Sequence, residues 1–100
     1  MEEFTYFTLT ILNNNVDLEF HKKQISLSCS LKSNNVFDQL NEWEMYDIDM
    51  KNYSMNYPEL VFLLTGYDGN LWCNYYNNGK VQRCRDVQIL IDKFNKKKLK

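Results

Sequence analysis

Among its 100 residues the chain has no alanine, one proline, three glycines and one histidine. Each scarcity excludes something. Gly69 and Gly79 sit in the turn dipeptides Asp68-Gly69 and Asn78-Gly79, so no glycine-rich loop of the Walker type is present. No run approaches the roughly 18 apolar residues of a membrane span. The start, MEEFTYF, is acidic where a secretory signal would be basic, and a cytoplasmic protein is expected. Cys29, Cys73 and Cys84 make an odd cysteine count, which predicts reduced core thiols rather than a disulfide framework. Asparagine and lysine together contribute 23 residues, a bias that fits an AT-rich coding sequence of the kind found in low-GC bacteria and their phages.

What is present describes a folded protein. An apolar share of 44% and an aromatic share of 15% are normal for a globular chain, and the length suits a single domain over residues 1–100. The net charge of −1 hides an asymmetry: residues 1–59 carry −6 and residues 60–100 carry +5.

Alternation of apolar residues predicts strands in FTYFTLTIL (Phe7, Leu9, Ile11 inward), VDLEFH (Val16, Leu18, Phe20) and ISLSCSL (Ile25, Leu27, Cys29, Leu31). Two-residue turns at Asn14-Asn15 and Lys22-Lys23 keep these sets on one face. Val36, Phe37, Leu40 and Trp43 recur at helical spacing, so a helix is expected to end near Tyr46. The second half repeats the plan, with strands turning at Asp68-Gly69 and Asn78-Gly79, then a helix capped by Asp86 with Val87, Leu90, Ile91 and Phe94 as its stripe. The expected fold is therefore α+β: a doubled βββα unit (about residues 4–46 and 59–98) forming one antiparallel sheet of about six strands with both helices on one face. The connector, residues 47–58, carries Met50, Tyr53, Met55 and Tyr57 and is expected to pack as an edge strand or ordered crossover, or else to offer a contact loop.

With the helices on the inner face, function is sought on the outer one. Pairing across two-residue turns sets Thr65 opposite Trp72, Leu63 opposite Asn74, Val61 opposite Tyr76, Tyr76 opposite Val81, Asn74 opposite Arg83 and Trp72 opposite Arg85. Trp72, Tyr76, Arg83 and Arg85, with Val61, Leu63 and Val81, then form an aromatic patch with an arginine rim, a composition typical of interface hot spots. The same face offers aromatic stacking to single-stranded nucleic acid, and the chain's own terminus or the connector covering it is the structural alternative. Asp38, Glu42, Glu44, Asp47 and Asp49 form a second, acidic patch, read either as a solvated helix face or as a mimic of a phosphate path.

Catalytic chemistry is missing. His21 falls on the outer face of the expected sheet, away from the inward cysteines, which excludes a Cys-His nucleophile pair and a zinc site. No cofactor is expected. Size, charge pattern and the absence of catalytic groups resemble in kind the small inhibitors that phages and mobile elements direct against host defences, anti-CRISPR proteins included, and toxin-immunity proteins. That likeness implies a non-catalytic module whose partner is another protein, such as a nucleic-acid-binding effector, with homodimerisation or single-stranded nucleic-acid binding as alternatives.

Overall fold

A computed structural model describes residues 4–31, 35–84 and 94–100. It is an α+β fold: a five-stranded antiparallel sheet with two helices. Chain order among the described residues is β1 (Thr5–Ile11), α1 (Leu18–Ser28), β2 (Leu40–Asn41), α2 (Tyr46–Met55), β3 (Phe62–Tyr67), β4 (Leu71–Asn77) and β5 (Lys80–Arg83). The sheet runs β2-β1-β3-β4-β5. Strands β1, β3, β4 and β5 follow the alternation in the sequence. The doubled βββα plan and the sixth strand do not occur there, and the helix expected from Asp86 falls mostly outside the described residues.

The segment expected to give two strands, residues 16–31, is instead α1. Asp17 is its N-cap, its carboxylate accepting the Phe20 N–H at 3.1 Å. The period-two pattern misleads because Phe20 and Leu27 point to solvent, 46% and 55% exposed, while His21 and Ser26 are buried. Both buried polar groups are satisfied. His21 Nδ1 lies 2.7 Å from the Tyr53 hydroxyl, and the Ser26 hydroxyl donates to the Lys22 carbonyl and accepts from the Val36 N–H. Those bonds remove the usual cost of polar burial.

Residues 36–46 are not the expected helix. Asp38 has φ 62°, outside right-handed helical space, and its N–H donates to the Phe7 carbonyl, fastening the segment to β1. Val36, Phe37 and Trp43 are buried by this loop, and Leu40 points outward. The connector becomes α2, whose Met50, Tyr53 and Ser54 are buried. Both helices lie on one face of the sheet, His21 of α1 and Tyr53 of α2 both meeting Phe62 of β3 with ring centroids 5.8 and 5.6 Å apart.

The β3–β4 turn sets the faces. It contains three residues, since Tyr67 pairs with Leu71; Gly69 takes φ 105° and Asp68 Oδ1 accepts the Asn70 N–H. Relative to a two-residue turn this slips the register by one, giving the pairs Phe62–Tyr76, Leu64–Asn74 and Gly66–Trp72. A slip of one residue exchanges the faces. The core face therefore carries Phe7, Leu9, Phe62, Leu64 and Tyr76, with Trp72 packed partly buried against it. Gly66 has no side chain because the Trp72 ring lies directly over it, where any Cβ would collide with the indole.

His21 gives this core a pH dependence. Burial lowers its pKa, opposed only in part by the negative charges of Asp17 and Glu59. The unfolded chain, with the ordinary value of 6.5, takes up the proton first, so stability is full above that pH and declines as pH falls through it toward the folded value. Since His21 is the single histidine, urea midpoints between pH 7.5 and 5.5 are expected to fall in the native chain and to stay flat in His21→Gln.

Candidate functional site

The aromatic patch expected on the outer face is built into the core. Tyr76 is fully buried and Val81 nearly so. Trp72 is held between Gly66 and the Tyr46 ring, stacked at 4.7 Å and 25°. Val61 and Leu63 are partly buried, Leu63 pairing with Tyr75 rather than Asn74. The Tyr76–Val81 and Asn74–Arg83 pairs form as expected. Arg83 is exposed at the end of β5, and Arg85 lies outside the described residues. The structure thus leaves no aromatic platform of Trp72 and Tyr76 on which bases could stack.

The acidic patch divides into structural and free carboxylates. Asp47, in the first turn of α2, accepts from the Tyr76 hydroxyl at 2.7 Å and from both Arg83 guanidinium nitrogens at 3.2 and 3.1 Å, with Lys51 Nζ at 3.5 Å. Burial alone would raise its pKa, but the hydrogen bonds from Arg83 and Tyr76 and the nearby positive charges outweigh it and hold the carboxyl below the usual aspartate value. Asp49 Oδ2 accepts from the Ser30 N–H and hydroxyl and from the Trp43 indole N–H. Asp38 pairs with Lys22. Glu42 is half-buried and Glu44 exposed.

On the face away from the helices, the half formed by β4 and β5 is closed. Cys73, Tyr75 and Gln82 are buried there; Phe94 packs against Tyr75 at 5.5 Å, and the Asn95 N–H donates to Gln82 Oε1. Lys100 exchanges two backbone hydrogen bonds with Val81 at the edge of β5. The chain's own terminus covers this part of the sheet.

The other end of that face is open. Leu40 pairs with Tyr6, Tyr6 with Tyr67 and Tyr67 with Leu71, so one row crosses four strands. All four stay in solvent, at 61%, 42%, 55% and 39% exposure. Cross-strand partners put their side chains within contact reach, so these form one apolar band rather than scattered residues. The charged residues within two positions of the row are Asp38, Glu42 and Asp68, all acidic. The sequence alternation places Tyr6 and, with Leu63 and Thr65, Tyr67 outward, while the one-residue difference in register moves Leu71, expected inward, to the same face. The length of the Asp68 turn is the signal that decides the face of Leu71.

Two concavities flank this sheet. On the helix side of the sheet, at the same strand ends as the row, a recess of about 340 Å³ is walled by Phe7, Trp43, Tyr46 and Trp72, with Glu44 and Asp68 as its ionisable groups apart from Tyr46. Burial, followed by the charge of Asp47, raises the Tyr46 pKa. Near β5 a groove of about 680 Å³ carries the cations Lys51, Arg83, Lys97, Lys98 and Lys100. Among the described residues no group of three or more His, Cys, Asp or Glu side chains is placed to hold a metal, and no helix is long and apolar enough to cross a membrane.

Cys73 and Cys84, expected as reduced thiols, are joined in a disulfide between β4 and the residue following β5, with Cα atoms 5.6 Å apart. Antiparallel neighbours naturally reach this separation. Cys29 is the free, buried thiol. No protein-family model, curated protein or solved structure matches the chain.

Two outcomes follow for stability. Asp47→Ala strips a charged acceptor from the buried Tyr76 hydroxyl and is expected to cost about 2–3 kcal/mol in urea unfolding. In Asp47→Asn the loss of stability on acidification below about pH 4 becomes shallower, because a depressed carboxyl stabilises only above its folded pKa. Reducing the Cys73–Cys84 bridge, which spans a separation of 11 residues, should lower stability by about 2–3 kcal/mol, read as the shift in urea midpoint with and without dithiothreitol.

Proposed function

We propose that the protein is a small non-catalytic binding module that acts by occupying a surface of another protein, an inhibitor of a host or competitor protein in the manner of phage or mobile-element counter-defence or of toxin immunity. The observation that carries this reading is the exposed row Leu40–Tyr6–Tyr67–Leu71. Covering the exposed apolar part of these side chains gains about 25 cal/mol per Å², and tyrosine is among the residues enriched at binding hot spots.

The charges around the row favour one kind of partner. Of its flanking acids, Asp38 is paired with Lys22 while Glu42 and Asp68 make no ion pair with a described residue, so the complementary surface is apolar with a basic rim, as on a protein that itself handles nucleic acid. Acidic flanks disfavour a phosphate backbone directly on the row. Lys51, Arg83, Lys97, Lys98 and Lys100 gather instead at the β5 groove. Cytoplasmic action, expected from the sequence, requires the fold to persist with Cys73 and Cys84 reduced, which the reduction experiment above measures.

Affinity capture from nuclease-treated lysates of low-GC bacteria tests the reading. A retained basic protein is expected whose affinity falls about 30-fold or more in Tyr6→Ser/Tyr67→Ser, while Phe20→Ser/Leu27→Ser on α1 leaves it unchanged. Retention that ignores the tyrosine substitutions, or that disappears with nuclease, overturns it. Sedimentation of the purified protein supplies the remaining arm: a dimer dissociated by the same tyrosine substitutions would assign the row to a second copy of this chain instead.

A further inference from the structure

The recess on the helix side of the sheet end that carries the row combines aromatic walls with two carboxylates. Tyr46 and Trp72 stack on each other at its side, Phe7 and Trp43 close it, and its two carboxylates have no cation beside them in the lining among the described residues. Glu44 forms no hydrogen bond or ion pair with a described residue. Asp68 uses Oδ1 on the Asn70 N–H within its own turn and leaves Oδ2 available. The recess lies at the same end of the sheet as the row but on its helix side, since Thr5, Phe7 and Trp72 alternate with Tyr6 and Leu71 along their strands and Asp68 forms the turn between the two faces.

We propose that this recess binds the guanidinium group of an arginine side chain presented by the partner protein. The inference deepens the sheet-face reading and rests on it for the identity of the partner. A flat, weakly hydrated cation stacks on tyrosine or indole faces while its edge donates to carboxylates. A quaternary ammonium has no N–H for Glu44 or Asp68 to accept. A neutral apolar group would desolvate both carboxylates without replacing their lost water. A volume of about 340 Å³ receives one side chain, not a strand or helix. A partner seated on the row reaches this anchor by extending an arginine round the Asp68 turn to the helix side of the sheet end.

The test is a titration of the ¹⁵N-labelled protein with N-acetyl-arginine amide, its neutral isostere N-acetyl-citrulline amide, and N-acetyl-lysine amide. The arginine derivative is expected to give saturable shifts at the Trp72 indole N–H and the Tyr46 amide. Binding about tenfold weaker or less is expected for the other two, and for arginine with Glu44→Gln/Asp68→Asn. That variant keeps the turn acceptor at position 68, and its unfolding midpoint verifies the fold. No saturable shift, citrulline equal to arginine, lysine binding more tightly, or an unchanged affinity in the double variant each overturns the assignment. Binding seen only in an Arg85→Gln background also overturns it, by giving the recess to an arginine of the chain itself. If capture depends on Tyr6 and Tyr67 while the arginine probe fails, the recess assignment falls alone. Failure of the sheet-face reading is seen in capture, independently of this titration.

Discussion

The buried hydroxyl of Tyr76 sets the central constraint. A phenol at the middle of the core must find an acceptor there or forfeit the gain from burying its ring, and Asp47 meets that demand from the first turn of α2. The carboxylate in turn needs compensation, supplied by Arg83 from β5, by Lys51 one turn along the helix, and by the helix N-terminus itself. One interaction thus fixes the start of α2 over β4 and β5. Two residues on, Asp49 gathers Ser30 and Trp43, so the same turn also anchors the exit of α1 and the loop before α2. Carboxylates that look like a surface patch in sequence hold three elements together.

This arrangement separates two groups of aromatic residues. Phe7, Phe37, Trp43, Tyr53, Phe62 and Tyr76 are buried in the core, several packed edge to face. Tyr6 and Tyr67 are left at the open end of the opposite sheet face, where nothing else in the described chain requires them. Closure of the β4–β5 half by Phe94 and Asn95 sharpens the contrast, because the fold evidently covers apolar sheet surface where stability calls for it. An open band beside a closed one points to use.

Legibility in the sequence followed the physical simplicity of each element. Strands β1 and β3 to β5 were readable because alternation and the Asn78-Gly79 turn agree. Helix α1 was not, since its outward Phe20 and Leu27 and its inward His21 and Ser26 invert the usual polarity. The spacing Leu18, His21, Ile25, Cys29 and the Asp17 cap carried the helical signal, but only with a histidine counted as core. Likewise Tyr46, Met50, Tyr53 and Tyr57 recur at helical intervals within a polar stretch read as a connector. Val36 to Trp43 showed the same intervals and formed no helix, because Asp38 adopts positive φ. The candidate surface was obscured by a single residue: taking the Asp68 turn as two residues long turned the right idea, an exposed aromatic sheet face, toward the wrong side chains.

That sensitivity to register gives the Cys73–Cys84 link a role in folding. While it is intact, β4, the Asn78-Gly79 turn and β5 remain one covalent ring even in the denatured chain. The Tyr76–Val81 alignment therefore has few competitors at the outset of collapse. A shift of one position along this hairpin, which would turn Tyr76 away from Asp47, is opposed by the ring before any core exists. The bridge thus acts against misalignment as well as against unfolding, and a reduced chain must find by packing alone the register that an oxidised one inherits.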